Sequence, residues 1–297
     1  MLINKLGEFG LIKSFRRRIR LDASVLKGSG DDCAVIRYRR DKHLLFTCDM
    51  IVEGVDFTRK SDPCLVGRKA LAVNLSDIAA CAGVPRYCLV SLGLPPKADV
   101  AKAERIFQGI NRLAKAYRVN VAGGDISRAP AITIDISLIG FVEPARLVLR
   151  SGARPGDIIF VSGPLGGSIR GRHFTFTPRV KEAQALAKNF RLRAMIDISD
   201  GLAQDLGHIL QASGCGALLY ERLIPLSKDA RGLEDALYSG EDFELLFALS
   251  PREARRLLRR NSVFKPIGEI REKGFGLKLV DKRGRQRSVP LSGFRHF

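Results

Sequence analysis

The chain has 297 residues, 45% of them hydrophobic, enough for one large or two ordinary globular domains with a real core. Its formal charge is +19, dispersed but for bursts at Arg16 to Arg20, Arg37 to Arg40 and Arg252 to Arg260, and the few aromatics do not interleave with arginine. That pattern disfavours nucleic-acid binding as the main role, suits attraction of polyanionic substrates, and includes no apolar run long enough to span a bilayer.

In chain order, Met1 to Arg20 is amphipathic and reads as a first helix; Glu8 and the short apolar pieces argue against a targeting signal. Cys33 to Tyr38 and Leu44 to Thr47 read as strands, and Val66 to Cys81 as a mostly buried helix ended by Gly83 and Pro85. Leu89 to Leu94 predicts a strand, and Val100 to Tyr117 a helix through Ile106, Ile110, Leu113 and Ala114. A short strand at Val119 to Ala122 should run into Gly123-Gly124-Asp125, followed by a long strand at Ala131 to Val142. The turn-rich connector from Arg150 to Asp157 marks a boundary. Beyond it, strands are expected at Ile158 to Ser162, Ala194 to Ile198, Ala217 to Tyr220, Phe243 to Leu249 and Phe264 to Ile270, with helices near Val180 to Phe190 and at Gly201 to Ala212. A hairpin from Leu277 to Val289 closes the second unit.

Carboxylates recur at the ends of these apolar runs: Gly30-Asp31-Asp32, Thr47-Cys48-Asp49, Leu75-Ser76-Asp77, Gly123-Gly124-Asp125 and Asp197-Ile198-Ser199-Asp200. Adjacent ionised aspartates repel, and a cation relieves them. Thr47 and Asp49 face one way on a continuing strand. Asn74, Ser76 and Asp77 put polar groups inside an apolar helix, where burial is costly unless they are paired or functional. Ser199 or Asp200 can cap the next helix, whose N-terminus also favours phosphate. Such a set suits magnesium, a hard cation that bridges to phosphates. The chain lacks a P-loop and the protein-kinase signatures. Gly163-Pro164-Leu165-Gly166-Gly167-Ser168 reads as a turn with a phosphate contact. Six scattered cysteines without Cys-x-x-Cys point to a reducing cytoplasm rather than a zinc or disulfide framework.

Gly7-Glu8-Phe9, Gly30-Asp31-Asp32, Asp49 to Phe57, Lys69 to Asp77, Gly123-Gly124-Asp125, Arg150 to Ala153, Asp197 to Leu202, Gly240 to Leu245 and Gly293-Phe294 occur in one order nearly end to end. In that order the chain resembles the thiamine-monophosphate kinase family, within the aminoimidazole ribonucleotide synthetase-like superfamily. The resemblance implies an α/β (α+β) two-domain fold of mixed sheets flanked by helices. It divides the chain into an ATP- and magnesium-binding dimerisation domain, 1–145, and a C-terminal α/β domain, 146–297. It implies in-line transfer of the γ-phosphoryl group of ATP to thiamine monophosphate by a cytoplasmic homodimer, with magnesium offsetting the anionic charge.

By position, the resemblance makes Asp32, Thr47, Cys48, Asp49, Asp77, Asp125, Asp197 and Asp200 metal-contacting, with Asp49, Asp125 and Asp200 in the catalytic set. Gly124, Arg150 and Ser199 match nucleotide contacts, and Asp56, Glu241 and Phe294 match substrate contacts. The chain departs from the family pattern in three places. Asp56 stands where histidine is usual. Cys48 stands where Thr or Ser is usual, which leaves it a backbone role because a thiol is a poor magnesium ligand. The segment between Ser168 and Pro178 is short. Two other functions remain open at this level: a superfamily synthetase or dehydratase with another substrate, and an inactive basic nucleic-acid-binding or scaffold protein.

Overall fold

A computed structural model describes residues 2–260 and 263–294. Met1, the first residue of the expected first helix, lies outside them. After the short helices α1 (Ile3–Leu6) and α2 (Glu8–Arg16), six strands build the first sheet. They are β1 (Val25–Lys27), β2 (Ala34–Arg39), β3 (Lys42–Val52), β4 (Val84–Leu94), β5 (Asn120–Arg128) and β6 (Thr133–Val142), in the order β1-β2-β3-β6-β4-β5. All neighbours are antiparallel except β4 and β5. Helices α3 (Pro63–Ala80) and α4 (Val100–Tyr117) connect them.

Asp62 starts α3 by accepting from the N–H groups of Cys64 and Leu65, with Pro63 in the first turn. The two helices approach closely because of two glycines. A Cβ on Gly67 would lie 1.9 Å from the Ile106 carbonyl oxygen, and one on Gly109 equally near that of Cys64.

The second sheet has seven strands: β7 (Ile158–Val161), β8 (Leu192–Asp197), β9 (Gly216–Tyr220), β10 (Leu245–Leu249), β11 (Lys265–Arg271), β12 (Leu277–Val280) and β13 (Gln286–Ser288). Their order is β13-β12-β9-β11-β7-β10-β8, with only β12 and β9 parallel. Helices α5 (Val180–Asn189), α6 (Leu202–Ser213), α7 (Leu233–Tyr238) and α8 (Pro251–Leu258) flank it. Both faces of its central strands are buried, which explains their unbroken apolar runs. Met195, Leu245 and Phe247 face a core shared with α3, whereas Ile196, Leu246 and Ala248 face α6 and α7. The core therefore continues across the linker, and α3 lies against β8. No helix among the described residues is long and apolar enough to cross a membrane.

Several elements differ from expectation. β3, β4 and β5 are longer because each is supported by a neighbouring ladder. Gly123-Gly124-Asp125 thus lies within β5 rather than after it. A short helix, α7, occupies Leu233–Tyr238, where the sequence shows no clear periodic signal.

Candidate active site

Alternation along β3 sends Thr47 and Asp49 toward α3. Thr47 Oγ1 donates to Asp77 Oδ2. One residue earlier on α3, Ser76 Oγ donates to Asp197 Oδ2 at 2.6 Å, tying the helix to the end of β8. Asp32, Asp77 and Asp197 offer carboxylate oxygens within 4.8 Å of one another. Arg150, on the linker, spans the rim: Nη2 donates to Asp32 Oδ1 at 2.8 Å, and its backbone N–H to Asp31 Oδ1 at 3.1 Å. Four chain segments thus place acids around one cleft between the sheets.

Burial sets the electrostatics. It pushes Asp32 up to about 6, against the pull of Arg150. Asp197 also rises to about 6, chiefly through burial, although the Ser76 hydroxyl favours its anion. Asp77 lies well above the usual carboxylate range, from burial and then from Asp49, Asp197 and Asp32. Asp49 is raised by burial, partly offset by a hydrogen bond from Asp77. Burial is the largest single influence on Arg150 and would lower it, but Asp32, Asp197 and Asp31 together outweigh burial and keep the guanidinium firmly charged. A protein of net charge +19 has therefore concentrated carboxylates where one arginine cannot neutralise them. Asp32 Oδ2 is buried without a hydrogen-bond partner. A hard divalent cation fits this all-oxygen set and removes the repulsion.

The turn after β8 carries Asp200, whose charge acts on Asp197. Asp205, in the first turn of α6, accepts from the N–H groups of Asp200 and Gly201 at 3.0 Å each. Glu241 N–H donates to the Ser199 carbonyl at 2.7 Å, and Phe294 N–H to the Asp200 carbonyl at 3.0 Å. Ser199, Asp200, Glu241 and Phe294, far apart in sequence, thus meet at one turn. Lys69, only 1% exposed, places Nζ 2.6 Å from Glu241 Oε1 and 3.0 Å from the Asp56 carbonyl oxygen.

Other expected positions lie elsewhere. Cys48 faces the opposite side of the sheet, where Sγ donates to Asp135 at 3.0 Å. Asp125 is exposed on edge strand β5; β6 and β4 separate it from β3, about 14 Å at strand spacing. Gly124 is required by packing, since a Cβ there would lie 1.8 Å from the Val90 carbonyl oxygen. The Asp56 carboxylate turns inward and accepts from Val52 N–H at 2.7 Å, closing its own loop. Asn74 bonds back to the Ala70 carbonyl within α3.

The glycine-rich turn after β7 is also engaged internally. Gly166 N–H and the Ser168 hydroxyl both donate to Asp242, contrary to the expected phosphate contact. Sequence reasoning assigned no role to Lys69, His173 or Asp205. Lys69 lay within a quoted motif, and a lysine in a buried helix was its available signal.

Residues 30–142 match the family described as AIR synthase related protein, N-terminal domain, and residues 154–279 match its C-terminal domain. The thiamine-monophosphate kinase of Aquifex aeolicus (strain VF5) is 36% identical, with all of both chains covered. That of Bacillus subtilis (strain 168) is 34% identical over 98% of this chain and 100% of its own. The structure described as AaThiL complexed with AMPPCP and TMP superposes with a TM-score of 0.88 at 34% identity, covering 100% of this chain and 99% of that one. With both domains matched and likeness running from end to end, the chain belongs to the thiamine-monophosphate kinase family of AIR-synthase-related proteins.

Proposed function

We propose that this protein transfers the γ-phosphoryl group of ATP to the phosphate of thiamine monophosphate, forming ADP and thiamine diphosphate. The carrying observation is the buried cluster of Asp32, Asp77 and Asp197, rimmed by Arg150, in a chain alike end to end to kinases of that name. Magnesium bound there would neutralise the acids and draw the phosphates of two anionic reactants together. Asp32, Asp49, Asp77 and Asp197 are the residues to hold it, with Asp200 at the adjoining turn and Thr47 orienting Asp77. Arg150 supplies fixed positive charge for nucleotide phosphate, with Ser199, on the turn after β8, as a further nucleotide contact. Glu241 and Phe294 offer the acceptor a carboxylate and an aromatic face. The buried acids ligate and orient; none is placed as an isolated general base.

We assign 1–145 as the ATP- and magnesium-binding dimerisation domain and 146–297 as the C-terminal domain. A homodimer is supported by the open face of the first sheet. Phe46, Ile139 and Tyr87 align there across β3, β6 and β4, and Met50 and Leu89 are 58% and 51% exposed. Such an apolar face favours association. It would also bring Asp125 and Gly124 to a subunit boundary, the setting in which they complete the nucleotide site. The six free cysteines fit a cytoplasmic enzyme.

The acceptor is tested with a panel of phosphorylated metabolites under one ATP-consumption readout. Thiamine monophosphate should exceed every other acceptor in kcat/KM. Preference for a different acceptor would transfer the assignment to a superfamily synthetase or dehydratase.

A further inference from the structure

The arginine burst from Arg252 to Arg260 begins in α8 and has no part in the acid cleft. Arg252 and Arg256 instead line a cavity of about 790 Å³. Its other walls come from the turn after β6, which supplies Arg146, the end of α5, which supplies Lys188, and the approach to β8, which supplies Arg191 and Arg193. Six cations thus face one cavity against a single lining carboxylate, Glu253. That acid is already engaged. Arg256 Nη1 donates to its two oxygens at 2.8 and 2.6 Å, and Arg191 N–H donates to Oε2 at 3.4 Å. Behind the lining, Glu143 pairs with Arg146 at 3.1 Å and Asp157 stands 3.9 Å from Arg193. Among the described residues, no carboxylate comes within ion-pair distance of Lys188, Arg191 or Arg252.

Like charges gathered in a concave site repel one another and focus a positive potential, which an anion relieves. The walls define the anion. Guanidinium forks match phosphate oxygens. No lining carboxylate is free to ligate magnesium, so an uncomplexed anion fits better than a magnesium complex, the reverse of the acid cleft. Phe190 is the one aromatic in the lining. It is 9% exposed, with the guanidinium carbons of Arg256 and Arg260 at 5.3 and 5.4 Å from its ring centroid, and so offers no open face to a base. The volume is that of a small-ligand pocket rather than of a groove tracking a long strand. The cavity is also separate from the acid cleft. Leu192 lines it and Asp197 lies in the cleft, at opposite ends of β8, about 16 Å apart at strand rise.

We propose that this cavity is a second anion site, which binds a short polyphosphate chain free of magnesium. It recognises the chain of phosphates and not a base, and it does not depend on which acceptor the acid cleft serves.

The test is isothermal titration calorimetry of inorganic tripolyphosphate into the full chain, in metal-free buffer of low ionic strength at pH 8. One tripolyphosphate should bind per chain, more weakly as salt is added. Arg191→Ala/Arg252→Ala should weaken binding at least about tenfold, the scale of one charge-assisted hydrogen bond. Lys97→Ala/Arg283→Ala removes the same charge from exposed positions elsewhere and should change it by less than about twofold. Denaturant midpoints check that both doubles are folded; if the first is not, Lys188→Gln/Arg191→Gln takes its place with the same expected loss. ATP under these conditions should bind within about threefold of tripolyphosphate, because no base-stacking face is open. No saturable binding, or equal losses in the two doubles, would overturn the site. Much tighter binding of ATP, or of a single-stranded oligonucleotide, with the same dependence on Arg191 and Arg252 would overturn its assignment to a short phosphate chain.

Discussion

Replacing Asp197 with asparagine should make the metal-free protein more stable while disabling it. Burial lifts this carboxyl from the ordinary 3.8 to about 6 in the folded chain. Between about pH 4 and about pH 6 the unfolded chain releases the proton and the folded chain retains it, so stability falls as pH rises through that window. At 1.36 kcal/mol per pKa unit, the loss reaches about 3 kcal/mol above it. Asparagine has nearly the same shape, still accepts from the Ser76 hydroxyl, and does not ionise. In EDTA at pH 8, Asp197→Asn should therefore exceed the wild type by about 2–3 kcal/mol, tempered by coupling to Asp49 and Arg150. Near pH 4 the two should coincide. With magnesium and both substrates, turnover should fall by at least about 100-fold, as for loss of a transition-state electrostatic contact. Urea unfolding followed by circular dichroism at the two pH values measures the difference. A variant less stable than wild type at pH 8 in EDTA would refute the argument that the acids are held together against their repulsion.

Three further outcomes follow from the same geometry. Magnesium should raise the unfolding temperature of the wild type clearly at pH 8 and little at pH 4.5, where Asp32 and Asp197 remain protonated; an equal shift at both values, by calorimetry, would place the ion elsewhere. Arg150→Met leaves Asp32 buried without its cation and should cost about 3 kcal/mol in EDTA at pH 8, with a smaller loss in magnesium; denaturant midpoints read both. Gly67→Ala should destabilise by about 1–3 kcal/mol without changing KM for either substrate, because the added methyl meets the Ile106 carbonyl of α4 rather than the cleft.

Much of the acid cluster was legible in the sequence because burial of polar groups leaves a local trace. Ser76 and Asp77 interrupt an apolar helix, and Thr47 and Asp49 share a strand face; the structure brings these to Asp32 and Asp197. The rest depended on contacts that no local pattern encodes. Lys69 meets His173 and Glu241 across 104 and 172 residues of sequence. Asp56 matched a substrate-contacting position, yet its carboxylate satisfies a backbone N–H four residues away. The glycine-rich turn offered backbone donors, but Asp242 takes two of its polar groups. Gly123-Gly124-Asp125 read as a loop because glycine is rare inside strands, whereas β4 recruits it into a ladder.

The most direct measurement is product identification after incubation of the purified full chain with ATP, magnesium and thiamine monophosphate. Thiamine diphosphate should form in equal amount with ADP, with both lost on addition of EDTA and in Asp77→Asn. ADP formation without thiamine diphosphate, or thiamine diphosphate formed equally well by Asp77→Asn, would contradict phosphoryl transfer through the acid cluster.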